Sequence, residues 1–322
     1  LIILDACRYD YFEKVYKKFF RDIEGRYKIR FLKVISPGNW TVAWLKSVWG
    51  NKKYSNIIYV SGNPYINSKG LMKEYDARKH FYKIIDVWYS GWDKKSNTTH
   101  PEKMNEIAQK VISKYPEKKV IIHYMQPHTP FIPIPTINDK NESISIDLKK
   151  EQNRKIGSFV NKINAIIKNS IPENIRGKIG VLMESILGYC LTYKFLQKLG
   201  VRSLSYYARL LMMYGKDMVK LGYQQNLEYV LKYVKEIVKF IPSGKIVITS
   251  DHGELLGEKR RYEHHRYSWH PKQVEVPWLE IDKGKRKIEK EVGEKKGEEE
   301  KEYSKKDEEI IKERLRALGY LE

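Results

Sequence analysis

The chain has 322 residues, 41% of them apolar and 31% charged, with only two cysteines, Cys7 and Cys190. That composition supports a large core and excludes a disordered chain, a disulfide-stapled miniprotein and a string of small linked modules. The formal net charge is +21 and, because 283–322 is nearly charge-balanced, the excess sits on the body, which favours anionic partners: phosphate or sulfate esters, nucleic acid or acidic lipid.

Lys far outnumbers Arg, and with abundant Glu, Ile and Tyr this resembles the composition of heat-adapted organisms. Leu1 already lies in an apolar run, so we expect the sequence to begin inside a strand and to lack its true N-terminus. The cysteine usage is compatible with a reducing, cytoplasmic compartment.

In chain order, four short apolar runs share one grammar, each ending in small or polar residues. They are Leu1-Ile2-Ile3-Leu4 before Asp5, residues 56–60 before Ser61-Gly62-Asn63-Pro64, Val120-Ile121-Ile122 before His123, and residues 246–249 before Ser250-Asp251-His252-Gly253. Runs without polar alternation suit strands covered on both faces. Helical periods fall at 11–20, 43–49, 101–115 and 227–240. The fold class expected is α/β, a mostly parallel central sheet with helices on both faces. In such sheets ligands bind beyond the carboxyl ends of the strands, so those polar residues converge on one crevice.

Residues 141–215 break the rhythm with a polar loop at 138–145 and helical segments at 179–199 and 204–213, which we read as a helical insertion or cap. Residues 1–140 and 216–282 then form the core, and 283–322 a charged linker with a short helix at 307–318. The apolar stretch 179–199 is interrupted by Glu184 and Lys194, too short for a transmembrane helix. Its stripes suit packing within the insertion, with peripheral contact to a membrane surface as the alternative.

Asp251-His252-Gly253-Glu254 is the strongest chemical signal. An Asp and a His at a strand end can share one divalent cation, and Gly253 permits the sharp turn beside them. Asp5 closes a second strand with only apolar residues before it, and a carboxylate there needs a partner that a metal supplies.

Together with Leu4-Asp5-Ala6-Cys7-Arg8-Tyr9-Asp10, His123-Tyr124-Met125-Gln126-Pro127-His128-Thr129-Pro130 and the ending Glu313-Arg314-Leu315-Arg316-Ala317-Leu318-Gly319-Tyr320, this pattern resembles the sulfatase-like branch of the alkaline phosphatase superfamily. Among its members it looks closest to archaeal sulfatase-like proteins. The resemblance implies that Asp5, Asp251 and His252 hold a divalent metal. It also implies a nucleophile from Ser36-Pro37-Gly38-Asn39-Trp40-Thr41, with Thr41 preferred over Ser36 and with capping of the helix as the plainer role. Cys7, with no activating His nearby in sequence, is a poor nucleophile.

The likeness favours His128 for protonating a leaving group or binding an oxygen. His123, Asn63 and Arg8 are candidate substrate contacts, each with a structural alternative: an inward-facing histidine, a turn former and a salt bridge to Asp10. From the run Tyr262-Glu263-His264-His265 we favour His265 as a further metal ligand. Imidazole with carboxylate suits zinc or manganese better than calcium or magnesium, as one or two ions. The Cys/Ser-x-Pro-x-Arg signature of true sulfatases is absent and Ala6 stands where a second acidic residue is usual. Those departures resemble the threonine-dependent phosphoglycerol and phosphoethanolamine transferases of the same superfamily. The expected activity is therefore metal-dependent hydrolysis or transfer of a phosphate or sulfate ester through a covalent Thr41 intermediate, the partner being an anionic ester. A noncatalytic or polyanion-binding relative is the alternative; no specific nucleic-acid motif appears.

Overall fold

In the computed structural model, which describes residues 1–70, 72, 74–133, 172–198, 205–267, 269–284, 309, 310 and 312–314, seven strands share one sheet. They are β1 (Ile2–Leu4), β2 (Lys28–Ile35), β3 (Tyr54–Ser61), β4 (Phe81–Asp86), β5 (Lys119–Tyr124), β6 (Lys245–Thr249) and β7 (Glu275–Asp282). Their order is β2-β7-β6-β1-β5-β3-β4, and β6, β1, β5, β3 and β4 run parallel. Only β7 opposes its neighbours, β6 and β2. Register aligns the carboxyl ends: Ile3 pairs with both His123 and Thr249, and Ser61 pairs with His123. The segments that follow these strands therefore open at one edge of the sheet.

Among the described residues the longer helices beside the sheet are α1 (Tyr9–Glu24), α2 (Thr41–Trp49), α3 (Pro101–Lys114), α4 (Glu173–Leu187), α5 (Tyr189–Lys198) and α6 (Tyr206–Phe240), the last interrupted at Gly215 with φ 78°. Strand alternation sends Ile2, Leu4, Ile58, Val60 and Ile122 against α1, α3 and α6, and Ile3, Tyr59 and Ile121 against the α2 side. Both faces are covered, which is why these strands read as unbroken apolar runs. Helix α1 buries Phe12, Val15, Tyr16, Phe19, Phe20 and Ile23 at helical spacing, and full burial of one such side chain is worth about 2 kcal/mol.

The four expected strands and the helices of the core are present, but β2, β4 and β7 were not anticipated. Strand β2 alternates exposed and half-buried residues at the sheet edge, carrying Lys28, Arg30 and Lys33, so it lacks the apolar run that flags a central strand. The stretch expected as one segment at 179–199 breaks at Gly188, where φ is 81°. A third cluster joins α5 and the start of α6 to the loops of the site through Phe131, Tyr189, Tyr193, Tyr207, Leu210, Leu256 and Tyr262. The loop at 138–145 and most of the charged linker lie outside the described residues. Among the described residues no helix is long and apolar enough to cross a membrane.

Candidate active site

At the carboxyl edge of the sheet, Asp5 after β1 and Asp251-His252 after β6 meet, all fully buried. Gly253 permits this turn for a steric reason: a Cβ there would collide with the Lys272 carbonyl oxygen, while its amide donates to Gln273 O at 2.7 Å. Thr41, buried, opens α2 behind an extended Trp40 and has no side-chain cap beneath it. Gly38 lets the preceding loop fold onto the first turn of α2, against the Trp44 backbone.

Around Thr41 the donors close on one point. Thr41 Oγ1 donates to Asp251 Oδ2 at 2.8 Å and lies 3.4 Å from His252 Nε2. His252 Nε2 is in turn 3.7 Å from Asp5 Oδ1 and 3.5 Å from Asp251 Oδ2. Ligands about 2.0–2.2 Å from a tetrahedral zinc stand about 3.3 Å apart, so this donor set suits such an ion. The imidazole is prepared for it: His252 Nδ1 is 2.9 Å from the Gly253 carbonyl, a contact that needs the proton on Nδ1 and leaves a lone pair on Nε2. Asp251 Oδ1 meanwhile accepts from the Ala6 and His252 amides at 3.2 and 3.0 Å.

Four of the candidate residues have partners within the protein. Asn63, expected at the substrate, spends its amide on Asp5 Oδ2 at 2.6 Å and its carbonyl oxygen on the Tyr65 amide at 2.8 Å. It orients a carboxylate. Arg8 is committed to Asp10 at 2.8 Å and Glu258 at 2.7 Å and is almost wholly buried, so the salt-bridge alternative holds in place of an anion contact. His123 turns Nε2 to Asp5 Oδ2 at 3.5 Å and Asp251 Oδ2 at 4.0 Å, with Nδ1 2.8 Å from Tyr59 OH. It belongs with the carboxylates. His265 lies apart, its Nε2 2.9 Å from Glu184 of α4, and Glu263 before the pair of histidines is left-handed, φ 65°.

The neighbouring His264 turns inward instead. With His128 and Glu254 it forms a second cluster whose ligand atoms lie within 4.8 Å of one another, as do those of Asp5, His123 and Asp251. The clusters touch, the His252 and His264 ring centres being 4.3 Å apart. His128 Nδ1 is 2.7 Å from the Thr129 carbonyl, and buried Asn226 of α6 pins this loop by donating to the Pro127 and His128 carbonyls. Ser36, the rival nucleophile, donates to the Asp251 carbonyl and braces the loop.

Electrostatics follow from burial against pairing. Burial raises the Asp5 pKa, but the His123 hydrogen bond and the nearby His128, His123 and His252 charges outweigh it and hold the carboxyl below its ordinary range. Burial lowers the pKa of His252, yet Asp251 and Asp5 pull it above the usual imidazole value. Glu254 is pushed up to about 8 by burial, which His128 and His252 only partly oppose. Burial, with the His252 and His128 charges, depresses His264. Asp5 and Asp251 are two buried carboxylates in one centre, and a divalent cation would offset their charge. Burial raises the Cys7 thiol, with Asp10 and Asp251 adding to it, which leaves it inert.

The sequence matches no protein-family model and no curated protein. Solved structures share its fold. The soluble domain of lipooligosaccharide phosphoethanolamine transferase A from Neisseria meningitidis superposes with TM-score 0.52 at 11% identity, covering 87% of this chain and 74% of that one. The integral membrane form of that transferase gives the same score and identity, and the chain spans only 46% of its length. The C-terminal periplasmic domain of EcEptC from Escherichia coli, a complex with Zn, superposes with TM-score 0.50 at 10% identity, covering 88% and 71%. The chain thus has the α/β fold of phosphoethanolamine transferase soluble domains.

Proposed function

We propose that this protein is a metal-dependent transferase or hydrolase of phosphate or sulfate esters, with Thr41 as its nucleophile. The observation that carries this reading is the meeting of Asp5, Asp251 and His252 around the Thr41 hydroxyl at the start of a helix. Asp5, Thr41, Asp251 and His252 would hold one divalent ion, and His128, clustered with Glu254 and His264, would stand beside it as the proton donor. When bound, the metal lowers the pKa of an alcohol and offsets the negative charge of the ester. The neighbours' names, phosphoethanolamine transferases, one of them a complex with Zn, support the reading.

The chain's own residues supply the rest. Asp251 Oδ2 accepts the Thr41 proton as Oγ1 attacks phosphorus or sulfur; the bond to the leaving oxygen breaks, and His128 returns a proton to that oxygen. The unpaired amides of the first turn of α2 receive the nonbridging oxygens. An acceptor alcohol or water then gives its proton to His128 as its oxygen displaces Thr41 Oγ1 from the covalent ester, and Asp251 returns the proton to Oγ1. Asn63 and the Ala6 amide keep the two carboxylates oriented.

The test pairs Thr41→Ala with Thr41→Ser in a screen of aryl phosphate monoesters, diesters and sulfates. Thr41→Ala should lose at least about a thousandfold in turnover and Thr41→Ser should keep measurable activity. Mass spectrometry of acid-quenched parent enzyme should find the adduct on Thr41. Full turnover in Thr41→Ala, or an adduct on Ser36, would overturn the assignment.

A further inference from the structure

Helix α4 is amphipathic in the inverted sense. Its inward face carries Glu184, buried against His265, and Gly177, packed on the Tyr267 ring. Its outward face carries Ile175, Ile179, Leu182 and Ile186, spaced by four, three and four residues, so they form one narrow stripe; they are 46%, 45%, 59% and 64% exposed. The polar contact inside fixes which way the apolar stripe points. Helix α5 repeats the pattern, burying Tyr189, Thr192 and Tyr193 while exposing Leu191 and Phe195.

The exposed charge on these helices is mostly of one sign. Lys178, Lys194, Lys216 and Lys220 are exposed on α4, α5 and the first half of α6, against a single exposed acid, Asp217, among the side chains described there. An apolar stripe set among lysines has the chemistry of a helix lying in the headgroup region of an anionic bilayer. A second copy of the chain would bring these lysines against their own counterparts, which disfavours a self-complementary dimer. A polyanion such as nucleic acid would leave the isoleucines in water. No described helix can span a bilayer, so the contact is with its surface.

We propose that the outer face of α4 and α5 docks the protein onto the surface of an anionic lipid membrane, Ile175, Ile179, Leu182, Ile186 and Phe195 entering the headgroup layer and Lys178 and Lys194 meeting lipid phosphates. The surface is separate from the carboxylate–histidine centre, and the assay reads binding rather than turnover.

The test is co-flotation of the full chain with vesicles of equimolar phosphatidylcholine and phosphatidylglycerol, and with vesicles of phosphatidylcholine alone. The parent should float with the anionic vesicles and be released by high salt. Ile179→Ser and Ile186→Ser should each lower the partition coefficient about tenfold, and Lys178→Glu about fivefold or more. Because these side chains face outward, the melting temperature of each variant should match the parent's. The proposal is overturned if anionic vesicles capture nothing, or if capture is indifferent to the stripe. It fails equally if the serine variants melt early, which would mean the chain itself covers the stripe, or if light scattering shows a dimer that the serine variants dissociate.

Discussion

Replacing Asp251 by Asn separates a metal ligand from a structural carboxylate. Asn keeps the size and leaves an oxygen to accept from the Ala6 and His252 amides, so the turn after β6 should persist. In metal-free protein the change removes a like-charge contact with Asp5, whose oxygens lie within 4.8 Å; in a buried site that repulsion is about 3 kcal/mol at an effective dielectric of about 20. It also removes attraction to the raised His252, so the two losses oppose each other and the metal-free melting temperature should move by only a few degrees. With metal the terms no longer cancel. A unit charge pair about 4 Å apart in such a site is worth about 4 kcal/mol, which corresponds to about a thousandfold in affinity. At a zinc or manganese concentration about a thousandfold above the parent's Kd, the parent gains about 4 kcal/mol and the variant about 0.4 kcal/mol. For a chain of this size those values become melting-temperature rises of roughly 6 °C and roughly 0.6 °C. Thermal unfolding after EDTA dialysis and stepwise metal addition measures both arms. An equal metal-induced rise in the two proteins, or collapse of the metal-free variant, would refute the ligand role of Asp251.

His264→Ala should lower turnover about a hundredfold or more in steady-state assays with the best aryl ester. His265→Ala should leave the metal response intact but strand buried Glu184, at a cost of about 2 kcal/mol, and speed proteolysis within α4. Arg8→Met should cost about 3 kcal/mol in urea unfolding by leaving Asp10 and Glu258 without their buried partner. Burial raises the Asp10 pKa, but Arg8 and Lys272 bring it down to about 2. Its contribution is therefore present above the ordinary carboxylate range and lost as pH falls toward 2, and the variant's acid unfolding midpoint should move up. Gly253→Ala should cripple both folding yield and metal binding, since its methyl group meets backbone that cannot yield.

The central strands were legible because burial on both faces leaves an unmistakable apolar run, and the residues ending those runs, Asp5, His123 and Asp251, are the ones the register brings together. The edge strand β2 was not legible, because half its side chains meet water. Adjacent histidines pose a harder problem, because no spacing rule reports which of His264 and His265 the loop turns toward His128 and Glu254. Glu254 stood inside the strongest motif without an assigned role, and only the fold brings His128 and His264 to it. Glu184 was visible merely as an interruption of an apolar stretch. That interruption is the residue that sits on the inward face of α4, opposite Ile175, Ile179, Leu182 and Ile186.

Strand β1 lies between β5 and β6, so Ile2 pairs with residue 122 on one side and residue 248 on the other. Contacts this remote in sequence are slow to form, because long loops must close before any pairing rewards them. During synthesis Asp5 leaves the ribosome long before Asp251 and His252 exist, and the nascent chain must hold its first strand unpaired on one side until β6 arrives. The centre is thus among the last features of the molecule to be assembled, and fragments cut anywhere between β5 and β6 should carry none of its chemistry.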